Sequence, residues 1–234
     1  MSQFLNYVTK TSNRLVNYVP NIKQTTDYYA VIIEPRELLE MTAIMKAVMY
    51  YLNETNSNIK WGLQIFHGTL NESSIKSETM DWGEVMYENL NKPDLTKKEY
   101  NDMLKSSNFW QKVRGEKILI FQSDSIMLRS GIDDFLIYDY VGAPWTKPKE
   151  NSMVGNGGFS LRTKKIMLDI TSKYIDEDIH MEDIFFAKYL KNQLVADIDT
   201  AKKFCVEDVF YPTPLAVHNP IKIPTEKLES IFSI

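Results

Sequence analysis

Cysteine is almost absent from this chain of 234 residues, which contains only Cys205. A single cysteine excludes an internal disulfide and a zinc site built from thiolates, and it fits a reducing compartment. We expect Cys205 to be a small, buried apolar side chain. The chain also lacks any run near the ~18 consecutive apolar residues that a spanning helix needs. We therefore expect a soluble, cytoplasmic protein without a membrane span.

Clustered positive charge is missing as well. The formal charge is −4, the pI is about 5.5, and the basic residues are scattered. Proteins that bind nucleic acid through its phosphates carry clustered basic surface, so a nucleic-acid partner is not expected. The turn Gly155-Asn-Gly-Gly158 lacks the spacing of a Rossmann fingerprint, and no Gly-Lys-Ser/Thr sequence occurs. Dinucleotide binding and ATP hydrolysis therefore lose support.

The pattern of apolar residues predicts one α/β domain. Tyr28–Ile33 and Trp61–Phe66 are typical of buried strands, and the apolar residues between Leu38 and Leu52 recur at helical spacing. This β-α-β unit indicates a mostly parallel sheet. Residues 69–115 are polar and mostly helical, and we expect them to decorate the sheet rather than extend it. The predicted domain spans residues 27–222, after a loosely held N-terminal arm at 1–26 and before a C-terminal tail at 223–234.

A carboxylate follows the apolar strand Lys117-Ile-Leu-Ile-Phe121, at Asp124. In open α/β sheets, ligands gather outside the carboxyl ends of such strands. Mg²⁺ and Mn²⁺ prefer oxygen donors, often one or two carboxylates together with phosphates of a substrate. A turn or helix-capping aspartate is the alternative, and these residues alone favour the two interpretations equally.

Three later groups also have two interpretations each. The turn at Gly155–Gly158 marks a tight turn or a close backbone approach, and Asn156 is well placed to hydrogen-bond sugar hydroxyls. Glu182-Asp183 begins a predicted helix, where acidic residues complement the helix dipole or serve as a general base. His218 is either a satisfied core or surface histidine or a second metal ligand beside Asp124.

Five segments occur in an order that resembles a glycosyltransferase-like domain family of giant viruses, bacteria and fungi. The resemblance covers about residues 28 to 220. It implies the GT-A fold of nucleotide-sugar glycosyltransferases: a single α/β domain with a Rossmann-like, mostly parallel central sheet flanked by helices. The segments are Phe121–Ser125, Tyr138–Trp145, Val154–Arg162, Glu182–Phe186 and Pro214–His218.

The resemblance also implies a role for each candidate residue. Asp124 and His218 would hold Mn²⁺ or Mg²⁺, and Asp183 would be the base of an inverting enzyme. The partners would be a UDP- or GDP-type nucleotide sugar and a glycan or other hydroxyl acceptor. Apart from the resemblance, we expect Trp145 to stack on a sugar or nucleotide face, although core packing explains it at least as well. The expected binding residues are Glu34, Arg36, Gln122, Ser123, Trp145, Asn156, Gly157, Gly158 and Glu182.

One position departs from the family pattern. Gln122 stands where the Asp-x-Asp metal motif has its first aspartate, so one carboxylate remains. A ligand at His218 would compensate; without it, Arg129 or Lys147 would have to neutralise the departing diphosphate. The departure keeps open a non-catalytic domain that binds glycans or nucleotide sugars. A metal-dependent phosphate-ester hydrolase that uses Asp124 is a third alternative.

Overall fold

A six-stranded sheet forms the centre of the computed structural model, which describes residues 2–24, 27–53, 59–174 and 179–233. Within these ranges, no helix combines the length and apolar character that crossing a bilayer requires. The strands are β1 Tyr28–Glu34, β2 Gly62–His67, β3 Met86–Asn89, β4 Lys117–Phe121, β5 Ser125–Met127, β6 Tyr140–Gly142, β7 Pro144–Lys149, β8 Ser152–Val154, β9 Phe159–Thr163, β10 Cys205–Val206 and β11 Ala216–His218. The helices are α1 Ser2–Arg14, α2 Met41–Asn53, α3 Glu72–Glu78, α4 Lys97–Leu104, α5 Ser107–Lys112, α6 Lys164–Lys173, α7 Glu182–Tyr189, α8 Ile198–Phe204 and α9 Thr225–Phe232, with a 3₁₀ helix at Ile132–Phe135.

The central sheet has the strand order β3-β2-β1-β4-β9-β6. β1 pairs in parallel with β2 and β4, whereas β9 runs antiparallel to both β4 and β6. Side chains of β1 alternate between two apolar clusters: Ala30 and Ile32 join one, and Val31 and Ile33 join the other. Because both faces are covered, the strand reads as a continuous apolar run. The predicted mostly parallel α/β sheet is confirmed.

One strand of the sheet was not predicted. β3 lies within residues 69–115 and extends the sheet beside β2, with which it pairs in parallel. The expectation that this region only decorates the sheet is therefore wrong. Its four residues, Met-Tyr-Glu-Asn, are all only partly buried, so the edge strand lacks the apolar run that marks the inner strands.

Both ends of the chain pack against the domain. α1 buries Phe4, Tyr7 and Val8 in the core, and the ring of Tyr7 stacks on Phe232 of α9 at 4.7 Å. Within the described residues, the segments predicted as a loosely held N-terminal arm (1–26) and a C-terminal tail (223–234) carry helices that pack on the domain; residues 1, 25, 26 and 234 lie outside the described ranges, and the domain bounds stay a prediction. The apolar residues of each segment are few, and they are buried because α1 packs against both α2 and α9.

Two smaller sheets complete the fold. β11 pairs in parallel with β10 and antiparallel with β5, in a register that sets His218 opposite Ser125. β5 begins directly after Asp124, so this pairing brings the end of the chain back to that residue. Cys205 of β10 is buried and free, as predicted. The second small sheet is the β7–β8 hairpin.

Candidate active site

A cleft of about 680 Å³ opens where β1 and β4 end. Carboxyl ends of neighbouring parallel strands meet at one edge of a sheet, so the loops that follow them share this space. The cleft wall contains every predicted site residue except Trp145, although they are far apart in sequence. The predicted residues in the wall are Glu34, Arg36, Gln122, Ser123, Asp124, Asn156, Gly157, Gly158, Glu182, Asp183 and His218.

Asp124 and His218 are direct neighbours. His218 Nε2 lies 3.3 Å from Asp124 Oδ1 and 3.1 Å from Gln122 Oε1. The backbone N–H of Asn219 donates to the carbonyl of Asp124 at 2.9 Å, which continues the β5–β11 pairing past its last residue. Strand register therefore determines this contact. The arrangement brings a carboxylate oxygen, an imidazole nitrogen and an amide oxygen together in the cleft.

Glu207 was not predicted and completes this group. Its Oε2 lies 3.2 Å from His218 Nδ1, so His218 has a carboxylate on each side. Burial lowers the pKa of His218, but the hydrogen bonds with Asp124 and Glu207 outweigh that effect and raise it to about 9. The pKa of Asp124 is lowered, because its interaction with His218 outweighs its burial. A carboxylate on one imidazole nitrogen is the usual way to orient a histidine whose other nitrogen binds a metal.

A network of hydrogen bonds fixes the loop after β1. Arg36 donates from Nε and Nη2 to the two carboxylate oxygens of Glu34, each at 2.7 Å, and Ser123 Oγ donates to Glu34 at 2.8 Å. Asn71 Nδ2 donates to the carbonyls of Glu34 and Arg36, both at 2.8 Å. Glu34 is buried, whereas the Arg36 side chain is 53% exposed. The hydrogen bonds therefore fix the orientation of the Arg36 guanidinium group, while part of it stays accessible from the cleft.

The glycine turn provides room for two functional side chains. A methyl group on Gly157 would overlap the carboxylate of Glu182, and one on Gly158 would overlap the imidazole of His218. Neither glycine has a positive φ, so close approach rather than backbone conformation requires glycine here. Asn156 Oδ1 accepts the N–H of Gly158 at 3.1 Å. The turn thus packs directly between the metal-ligand candidates and the start of α7.

A buried ion pair connects the turn to α7. Arg162 is fully buried and donates from Nη1 and Nη2 to Glu182 at 2.9 and 3.1 Å. It also donates to Ser160 Oγ at 2.8 Å and to the carbonyl of Gly157 at 3.2 Å. Sequence reasoning gave Arg162 no role, although an arginine within the buried strand Phe159-Ser-Leu-Arg is a signal. Both oxygens of Glu182 face this arginine, and its contact with a ligand stays a prediction.

Asp183 lies at the first turn of α7 and is 7% exposed. Burial raises the pKa of its carboxyl to about 6, with a further contribution from Glu182, against opposing effects of Lys149 and Arg162. Asn101 Oδ1 accepts the N–H of Glu182 at 2.6 Å and caps α7 from another helix. A weakly solvated carboxylate with a pKa near 6 is suited to accept a proton near neutral pH.

Trp145 is the predicted site residue that the structure does not bring to the cleft. Its side chain is 3% exposed and packs against Gly155, and Lys149 Nζ lies 4.4 Å from its ring centroid. Trp145 therefore packs as a core residue, which is the alternative interpretation of this tryptophan. Neither Arg129 nor Lys147 lines the cleft, so they are not placed to neutralise a ligand there; Arg36 and Lys97 are.

The chain belongs to a known sequence family. Residues 84–218, more than half of the chain, match the family described as "Protein of unknown function (DUF5672)". A search of curated proteins finds no match. The family assignment therefore indicates no biochemical activity.

Solved structures with a similar fold include glycosyltransferases. The apo form of GlyE from Streptococcus pneumoniae TIGR4 has a TM-score of 0.52 and 16% identity over 85% of this chain and 55% of GlyE. The galactosyltransferase LgtC, solved in complex with donor and acceptor sugar analogs, has a TM-score of 0.54 and 9% identity over 88% of this chain and 95% of LgtC. This chain thus spans little more than half the length of GlyE. At these identities the likeness shows the fold, and the predicted GT-A-like fold is confirmed.

Proposed function

We propose that this protein transfers a sugar from a nucleotide-sugar donor to an acceptor hydroxyl, with a divalent cation and with inversion at the sugar carbon. One observation carries the proposal: Asp124, His218 and Asp183 line a single cleft of a glycosyltransferase fold. Each residue has an adequate structural explanation alone. Together they put two metal-ligand candidates and one base candidate around the same space.

The donor atoms support binding of Mn²⁺ or Mg²⁺. Asp124 offers carboxylate oxygen, His218 offers Nε2 once a cation displaces the proton from that nitrogen, and Gln122 has its amide oxygen beside them. Among the described residues, no group of three or more His, Cys, Asp or Glu side chains has the arrangement of a metal site. A hard cation held by two protein ligands takes its other ligands from substrate phosphates and water. When bound, it would stabilise negative charge on the departing diphosphate.

The charge of the cleft also supports a cation. Among the described residues, the arginine and lysine side chains in the cleft wall are Arg36 and Lys97, and Arg36 is already paired with Glu34. The carboxylates outnumber these two side chains and His218 together, so a nucleoside diphosphate would be repelled unless a cation accompanied it. The acidic wall residues are Glu34, Asp94, Asp124, Glu182, Asp183 and Glu207.

The remaining residues bind the donor and accept the proton. Arg36, held by Glu34, which also accepts a hydrogen bond from Ser123, presents its exposed face to the nucleotide. Asp183 takes the proton of the acceptor hydroxyl while that oxygen bonds to the anomeric carbon, and the bond from this carbon to the diphosphate oxygen breaks. Attack on the face away from the leaving group inverts the centre. Asn156 and the glycine turn contact the sugar, and Arg162 holds Glu182 beside the base.

The experiment is a thermal-shift screen of UDP- and GDP-sugars with and without Mn²⁺. Ligand at one hundred times its Kd stabilises the fold by about 2.7 kcal/mol, so a true donor raises the Tm measurably. We expect Mn²⁺ to enhance the shift in the wild type and not in Asp124→Asn. Asp102→Asn, at an exposed surface position of α4, is the matched control. The proposal fails if no nucleotide sugar raises the Tm in either condition.

Gln122 favours one alternative, a domain that binds nucleotide sugars without turnover. Its amide is a weaker metal ligand than the carboxylate it replaces, and it hydrogen-bonds His218 instead. Such a domain would give the same thermal shift. It would not release nucleoside diphosphate from any donor in the presence of an acceptor, and that assay separates the two functions.

A further inference from the structure

Glu207 lies in the cleft wall and has no role in the transfer step described above. The parallel pairing of β10 with β11 sets Val206 opposite Val217, so the next residue along each strand brings Glu207 beside His218. Glu207 Oε2 then lies 3.2 Å from His218 Nδ1, and the Glu207 side chain is 15% exposed. A largely buried carboxylate that faces an imidazole indicates a role connected with that histidine.

The contacts of His218 select one orientation of its ring. Nδ1 faces Glu207, whereas Nε2 lies 3.3 Å from Asp124 Oδ1 and 3.1 Å from Gln122 Oε1. A half turn about the Cβ–Cγ bond would exchange each ring nitrogen with a carbon and would leave these three oxygens facing carbon atoms. The observed orientation is therefore the one in which both nitrogens have oxygen partners.

The same geometry separates the roles of the two carboxylates beside His218. The ring nitrogens point away from each other, so Glu207 and Asp124 lie on different sides of the imidazole. Glu207 is therefore not placed to share a cation with Nε2. A histidine that binds a metal through Nε2 keeps its proton on Nδ1, and that N–H needs an acceptor. The Glu207 carboxylate is in the position of this acceptor.

We propose that Glu207 is a positioning residue for the cation site: it accepts the Nδ1 proton of His218, holds Nε2 toward Asp124, and so sets the affinity for the cation. This inference rests on the cation of the proposed function and adds a residue to it. A carboxylate partner fixes the tautomer of a metal-binding histidine and makes its other nitrogen a stronger donor. Because Glu207 acts only through His218, its effect should disappear when His218 is absent.

The test is the affinity for Mn²⁺, followed by the electron paramagnetic resonance signal of the free ion, with the protein alone and with saturating UDP or GDP. We expect Glu207→Ala to raise the Kd for Mn²⁺ about 10- to 100-fold, the usual effect of losing such a partner. Glu207→Gln should raise it less, because the amide oxygen can still accept the Nδ1 proton. The matched control is Asp208→Asn, at the neighbouring carboxylate, which pairs with Lys222 at 2.7 Å outside the cleft wall. Its Kd should stay close to the wild-type value.

A double-mutant cycle tests whether Glu207 acts through His218. It is measured with saturating UDP or GDP, whose phosphates supply further oxygen ligands. In a His218→Ala background, we expect Glu207→Ala to change the Kd for Mn²⁺ by less than about 2-fold, because no imidazole remains to be held. A direct ligand, a long-range charge effect or a purely structural role would each cause a further loss in that background, and such a loss would overturn the inference.

Other outcomes separate the inference from the proposed function. An unchanged Mn²⁺ affinity in both Glu207 variants refutes the positioning role and leaves the cation site intact. A lower Tm of ligand-free Glu207→Gln together with wild-type Mn²⁺ affinity assigns the carboxylate to stability alone. If the wild type binds Mn²⁺ neither alone nor with UDP or GDP, the cation site of the proposed function is refuted, and the inference with it.

Discussion

Asp183→Asn should make the protein more stable at neutral pH, because the buried Asp183 carboxylate is destabilised when ionised. Its pKa is raised from 3.8 to about 6, and each pKa unit corresponds to about 1.4 kcal/mol. The ionised wild type therefore loses about 3 kcal/mol of folding free energy that an uncharged asparagine does not lose. Asparagine can still accept the N–H of Ile184, which Asp183 Oδ1 accepts at 2.8 Å. We expect the Tm to rise by several degrees, since 1 kcal/mol shifts it by about 2–4 °C at this size.

The pH dependence of this difference gives the sharper test. A folded pKa above the unfolded value means that the fold holds the proton more tightly, so stability falls as pH rises from about 4 to about 6. The free energies of unfolding of variant and wild type should therefore agree near pH 4 and separate until about pH 6. Asp102→Asn is the control of opposite sign, because Lys98 and Lys105 lower the pKa of exposed Asp102. Urea unfolding at several pH values measures both; a constant difference across pH would refute the reasoning.

Three further predictions concern the same site. Gly158→Ala forces a methyl group into the His218 ring, so it should abolish the Mn²⁺-dependent thermal shift; an unchanged shift would remove His218 from the metal site. Arg162→Met leaves the Glu182 carboxylate buried and unpaired, so urea unfolding should show a loss of about 3–5 kcal/mol; adding Glu182→Gln should restore part of it, and no restoration would contradict the ion-pair account. The kcat/KM for transfer should fall about tenfold per pH unit below about pH 6, as Asp183 becomes protonated. A kcat/KM that stays unchanged down to pH 5 would exclude Asp183 as the base.

The inner strands and the main chemical residues could be predicted because their signals are local. β1, β2 and β4 are buried on both faces, so each one is a short apolar run. Asp124 follows such a strand, and Asp183 lies at the start of a helix, where a carboxylate is visible in the sequence. Parallel pairing then puts the ends of β1 and β4 at one sheet edge, which makes a shared cleft the natural expectation.

What could not be predicted depends on contacts between distant segments. Glu207 reads as an ordinary surface carboxylate until the β10–β11 pairing places it on His218. Trp145 reads equally well as a stacking platform or a core residue, and only the packing of Gly155 against it decides. Asn101 lies in a polar helical region, and its role as a cap of α7 depends on how α4 packs against that helix.

The most direct test of glycosyl transfer in this cleft is the release of nucleoside diphosphate by wild type and Asp183→Asn. Each protein is incubated with Mn²⁺, an acceptor glycan and the nucleotide sugar that stabilises it most. We predict release by the wild type, and at least a hundredfold slower release by Asp183→Asn, within the ~10²–10⁴-fold range for a general base. The variant should still show the thermal shift with donor. Full release by Asp183→Asn, or no release by the wild type from any stabilising donor, would contradict the account.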